Sequence, residues 1–247
     1  MRSMRLILFL LCPAVWAQIG DASFTIKTGY ADAYLFRGHN VHDDDVYQGE
    51  FGLGIARWSY NLNWTEAADE TLGGFEREAA HNISFTSVLR NMVTTVGYQY
   101  LDYEGGLLDT QEIYMRFTQP GKWNPTYGIA VDVDAYKGYY ADFALSRPYI
   151  LTRRSQVIFT IKTALALDLD QKRNRENDRI TEAGFYSDDG LVHSQASLTY
   201  FWQIHKRFKF ELGGRYHYAH DDLLYDEEAG IDKDTFVGFA SFRFTFP

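Results

Sequence analysis

The sequence predicts an all-β protein, a transmembrane antiparallel up-and-down β-barrel of about 12 strands. Three observations predict it. The chain opens on an export segment, continues as a ladder of period-two segments, and joins them by connections that alternate between compact turns and long acidic loops.

The opening, Met1 to Trp16, has a basic start at Arg2 and Arg5 and a short apolar core from Leu6 to Trp16. Val15-Trp16-Ala17 offers small residues where a signal peptidase inspects, so residues 1–17 read as a signal peptide and 18–247 as a single barrel domain. The apolar run is shorter than the roughly 20 residues a spanning helix needs. Cys12, the one cysteine, lies inside this segment, and Leu10-Leu11 before it is a poor lipidation signal. The mature chain is then free of cysteine. It carries 22 Lys+Arg against 33 Asp+Glu, a balance that argues against nucleic acid as a partner.

Twelve segments alternate, at about 23–37, 46–55, 57–66, 78–89, 92–103, 110–118, 125–134, 138–146, 156–168, 191–203, 207–219 and 235–246. In the third, Trp58, Tyr60, Leu62 and Trp64 oppose Ser59, Asn61, Asn63 and Thr65. In the eleventh, Phe208, Phe210, Leu212, Tyr216 and Tyr218 oppose Lys209, Glu211, Arg215 and His217. Links after even-numbered segments are mostly compact, as at Ala56 and Arg90-Asn91, with "SRPYILTRRSQ" the longest. Links after odd-numbered segments are mostly long and acidic, as in "GHNVHDDD" and "HDDLLYDEEAGIDKD", the short one near Lys137 excepted. Turns on one side and loops on the other are the layout of an outer-membrane barrel, with both termini at the turn end. The last segment, "FVGFASFRFTFP", places Phe236, Phe242, Phe244 and Phe246 on a single face, which is expected to meet lipid. That strand would also be the handle for the outer-membrane assembly machinery.

The stretch "TGYADAYLFRGHNVHDDDVYQGEFGLG" resembles the start of the TorF family of porins, whose first strand ends in a Tyr-x-Phe-Arg-Gly-like motif before a polar loop and a Gln-Gly entry to the second strand. Tyr34, Phe36, Arg37 and Gly38 match, followed by Gln48 and Gly49. The resemblance implies an outer-membrane barrel, and less firmly transport. Pro247 departs from the aromatic on which such barrels commonly finish.

With Phe246 outward, parity assigns fourteen charged residues to the lumen. The basic ones are Lys27, Arg37, Arg116, Lys162, Lys209, Arg215 and Arg243; the acidic ones are Glu50, Glu112, Asp132, Asp134, Asp142, Asp168 and Glu211. A balanced lumen points to a narrow, weakly selective channel for small polar solutes or ions, with salt bridges filling a closed barrel as the alternative. Arg37 and Glu50, on adjoining strands, are expected to pair. A hydrolase is the remaining alternative, but His81 with Ser84 and His193 with Ser194 are spaced to lie on opposite faces, and no catalytic residue or cofactor is expected. Two rim segments share a His-x-x-His-Asp-Asp pattern: His39, His42, Asp43 and Asp44 in one, His217, His220, Asp221 and Asp222 in the other. Imidazoles with carboxylates suit a transition metal, although a solvated acidic loop gives the same pattern.

Overall fold

A computed structural model of the chain describes residues 22–68, 76–104, 108–170, 172–174, 179–182, 184–224 and 233–246. The predicted signal peptide and Pro247 lie outside the described residues.

The first half of the chain forms β1 (Ala22–Ala31), β2 (Tyr34–Phe36), β3 (His39–His42), β4 (Val46–Ile55), β5 (Trp58–Ala67), β6 (Arg77–Leu89), β7 (Met92–Glu104) and β8 (Thr110–Thr118). The second half forms β9 (Pro125–Asp132), β10 (Tyr139–Thr152), β11 (Ser155–Leu167), β12 (Lys172–Asn174), β13 (Arg179–Glu182), β14 (Gly190–His205), β15 (Phe208–Ala219) and β16 (Asp234–Phe246). Twelve of these close into one antiparallel barrel, and β1 completes it by pairing with β4 on one side and β16 on the other. Closure gives each of the twelve wall strands a neighbour on both sides, which is what a sheet in hydrocarbon requires. The pairs β2–β3 and β12–β13 are two-stranded hairpins outside the wall, each inside a loop-end connection.

The alternation sorts the faces as period two demands. On β15, Leu212 is 50% exposed on the outside while its neighbour Glu211 is 6% exposed on the inside. Phe236, Phe242, Phe244 and Phe246 of β16 are exposed, and Val237 and Ser241 between them are buried. Where a long inner side chain needs space, a glycine provides it. A Cβ on Gly128 would come within 2.0 Å of the carboxylate of Asp142, its cross-strand partner.

Two strand boundaries differ by several residues from the sequence expectation. The eighth predicted strand runs on to Thr152, so "SRPYILTRRSQ" is mostly strand, with a two-residue turn at Arg153-Arg154. Beyond Leu145, β10 keeps a partner on one side only, the position where Pro148, lacking an N–H, is tolerated. The first predicted strand, expected to reach 37, leaves the wall after Ala31. Asp32 ends it: its carboxylate accepts the Gly238 N–H at 2.8 Å, replacing a ladder bond with a side-chain one. The chain then folds back as β2–β3 and packs inside the barrel. Its tip, Arg37-Gly38, has φ of 50° and 98°, the mirror-image turn that suits a two-residue hairpin loop.

This inward fold gives the barrel an apolar core at its loop end. Tyr140, Ala164, Ala166 and Val192 of the wall pack with Leu169, Phe185, Tyr186 and Leu224 of the loops, and Phe36 from the hairpin lies against them.

Candidate functional site: the lumen and its inward-folded loops

The hairpin tip is where the matched Phe-Arg-Gly motif acts. Arg37 crosses the lumen and makes a bidentate ion pair with Glu112 on β8. The pair is nearly enclosed, with the two side chains 15% and 2% exposed. The guanidinium also stacks on the Tyr140 ring at 4.5 Å, and the Tyr186 hydroxyl donates to the Arg37 carbonyl at 3.0 Å. Gly38 is required by space as well as by φ. A Cβ there would meet Leu224 at 2.9 Å and His193 at 3.1 Å. The expected Arg37–Glu50 pair is therefore not formed. Parity holds only for residues on the wall, and Arg37 has left it.

Glu50 instead joins a network at the turn-end half. Arg243 reaches Glu50 at 3.3 Å and Glu211 at 3.7 Å, and Lys27 reaches Glu211 at 3.3 Å. Lys162 pairs with Asp142 at 3.1 Å. Arg215 lies over the Phe239 ring, and Lys209 over Phe201, at 5.8 and 5.5 Å. Arg116 is exposed to the lumen and belongs to the boundary of a cavity of about 250 Å³. Arg37, Asn82, Gln99, Glu112, Asp142 and Lys162 share that boundary, directly beneath the hairpin.

Three acids assigned to the lumen have other roles. Asp132 is buried, but its Oδ1 accepts the backbone N–H groups of Asp134, Tyr136 and Lys137, and its Oδ2 accepts the Thr110 hydroxyl. It builds the loop-end link 133–138, which explains why that link can be short. Asp134 and Asp168 lie beyond the ends of their strands and are exposed on the rim. Conversely, Glu78 faces inward and was missed. It is buried and accepts the hydroxyl of Tyr34 from the hairpin.

The metal candidates disperse. His39 contacts the Phe185 carbonyl through Nε2 at 2.7 Å, and burial pushes this imidazole down to about 4, against the pull of that carbonyl. His42 is buried, and Asp43 accepts the Asn40 amide. His217 packs on the ring of His193, centroids 5.1 Å apart. Asp221 is committed to the backbone N–H groups of Ser187, Asp188 and Leu223. Among the described residues no group of three or more His, Cys, Asp or Glu is placed to hold a metal ion.

The hydrolase candidates also separate. His81 meets the Tyr60 hydroxyl outside, whereas Ser84 is buried inside against Ser59. Ser194 finds a histidine across the strand rather than along it: its Oγ is 2.9 Å from His220 Nε2. Among the described residues no carboxylate or amide hydrogen-bonds the other ring nitrogen of His220, so the orienting group of a triad is missing.

No family model matches the chain, and no curated protein matches it. Solved structures do match in fold. The NanC porin superposes with a TM-score of 0.53 at 10% identity, covering 90% of this chain and 98% of that one. The KdgM porin in complex with disordered oligogalacturonate gives 0.52 at 7% identity, covering 91% and 99%. The COG4313 outer membrane channel from Pseudomonas putida F1 gives 0.51 at 10% identity, covering 91% and 96%. At these identities the likeness is one of architecture: this chain shares the closed twelve-stranded barrel of outer-membrane porins and channels.

Proposed function

We propose that the protein is an outer-membrane channel for passive diffusion of small polar solutes or ions, exported by its signal peptide and closed at the loop end by its own hairpin. The barrel presents an apolar face outward and charged side chains inward, the arrangement of a membrane pore. The observation that carries the reading is the cavity beneath the hairpin, about 250 Å³ and lined by Arg37, Glu112, Arg116, Asp142 and Lys162. A barrel with no use for its lumen would gain by filling this space with apolar side chains rather than with ionised groups needing water or a partner. The charges come in both signs, so the reading extends to small polar solutes and ions and not to a particular polyanion. Membership of the TorF porins, implied by Tyr34, Phe36, Arg37 and Gly38, fits the same role.

A second reading, a plugged structural barrel, is favoured by the aromatic packing of Phe36, Phe185 and Tyr186 across the loop end. Planar-bilayer recording on the refolded protein separates the two. Discrete conductance steps support the channel. Their absence in the parent and in variants that release the hairpin supports the structural barrel.

A further inference from the structure

The five turns at one end of the barrel comprise residues 56–57, 90–91, 119–124, 153–154 and 206–207. Half of these fourteen residues are Lys or Arg and none is Asp or Glu, in a chain where acids outnumber bases. Arg57, Arg90 and Lys122 occupy the first three turns; Arg153-Arg154 and Lys206-Arg207 occupy the last two. Every turn thus contributes a cation. All seven are exposed, and none forms an ion pair with a described carboxylate.

Immediately above the cations on the outer wall stands an aromatic belt. Trp58 follows Arg57, Trp123 follows Lys122, and Trp202 is paired with Ser155 beside the fourth turn; all three rings are exposed. Arg147 lies over Trp123 and Tyr149 at 5.0 and 4.9 Å. Amphipathic rings mark the boundary between hydrocarbon and headgroups. Cations just beyond that boundary stand at the level of lipid phosphates.

From this juxtaposition we infer that the turn-end rim is a binding surface for anionic phospholipid headgroups, anchoring the barrel at the leaflet its turns meet. The inference rests on the membrane reading above. Near an anionic surface each Lys or Arg contributes about 1 kcal/mol, roughly a fivefold preference, and the attraction fades once the Debye length drops to about 3 Å near 1 M salt. A competing use is visible at the fourth turn. Arg153 and Arg154 also line a recess of about 430 Å³ with Lys209 at the lumen mouth, where a permeating anion would pass. Arg57, Arg90 and Lys122 do not line it, so they carry the test.

Three of the four tryptophans in the described residues sit beside the rim, and bromine-labelled lipids quench tryptophan on contact. The mature protein is refolded into vesicles containing brominated phosphatidylglycerol or brominated phosphatidylcholine at equal mole fraction. The expected result is several-fold stronger quenching by the anionic lipid at low salt, lost near 1 M salt. Arg57→Gln with Arg90→Asn and Lys122→Gln should cut the excess severalfold, leaving the part due to the last two turns; the charge-keeping set Arg57→Lys, Arg90→Lys and Lys122→Arg should retain it in full. Equal quenching by both lipids in the parent, or an excess that the neutral set leaves undiminished, overturns the inference while leaving the membrane reading intact. Quenching by neither lipid means the barrel is not in the bilayer and overturns both. If the neutral set moves the reversal potential of the channel but not the quenching, the rim serves the permeating solute and the inference is wrong.

Discussion

Arg37→Ala should open the barrel. The substitution removes one partner of a nearly enclosed ion pair and leaves Glu112, 2% exposed, as a buried carboxylate without its cation. Breaking such a pair from one side costs about 3–5 kcal/mol, most of it the penalty of the stranded charge. That cost falls on the docked hairpin, because undocking lets water reach Glu112 through the lumen. At about 1.4 kcal/mol per tenfold, the docked-to-undocked ratio should fall by roughly a hundredfold to a few thousandfold. Loss of the stacking on Tyr140 acts in the same direction. The assay is single-channel recording of the parent, Arg37→Ala, Glu112→Gln, and the double change Arg37→Met with Glu112→Gln, which strands no charge. Both single changes should raise the open fraction, and the double change should lie nearer the parent. If all four proteins refold to the same heat-modifiable barrel and share one open fraction, the hairpin is not a closure and the reasoning fails.

Three further outcomes follow from the same geometry. Leu212→Arg places a charge on the exposed outer face and should lower refolding stability by about 2–4 kcal/mol if near the midplane, while the inward Thr160→Arg should cost clearly less; equal losses in a urea titration would show that the faces are misassigned. Gly38→Val adds a branched side chain where φ is 98° and Leu224 and His193 already stand within 3.1 Å, so it should raise the open fraction as Arg37→Ala does, but without altering the lumen charge. His39 is held down to about 4 when docked against 6.5 when free, so the released hairpin binds more protons between those values; the His39 contribution to docking is at full strength above pH 6.5 and is lost as pH falls toward 4, so on acidification the open fraction of the parent should rise relative to that of His39→Gln.

The barrel was legible in the sequence because its two constraints are local and periodic. A wall strand must alternate, so the Leu212 and Glu211 faces could be assigned without coordinates, and closure with Phe246 outward then propagated parity around all twelve strands. The lumen's interior was not legible by that rule, because parity describes only residues that stay on the wall. Arg37 was assigned beside Glu50 by counting along a strand that stops at Ala31, and the stop depends on Asp32 capturing the Gly238 N–H, more than two hundred residues away. Asp134 and Asp168 failed for the same reason at other strand ends. A usable signal did exist in the loops. Phe185, Tyr186 and Leu224 are large apolar residues in segments rich in charged residues, and a loop bathed in water has no reason to keep them. Burying each such side chain is worth about 1.5–3 kcal/mol, enough together to draw a loop inward against its conformational entropy. In a barrel of intermediate width, the apolar residues of the loops therefore bear more directly on whether the lumen is open than the charge balance of the wall does.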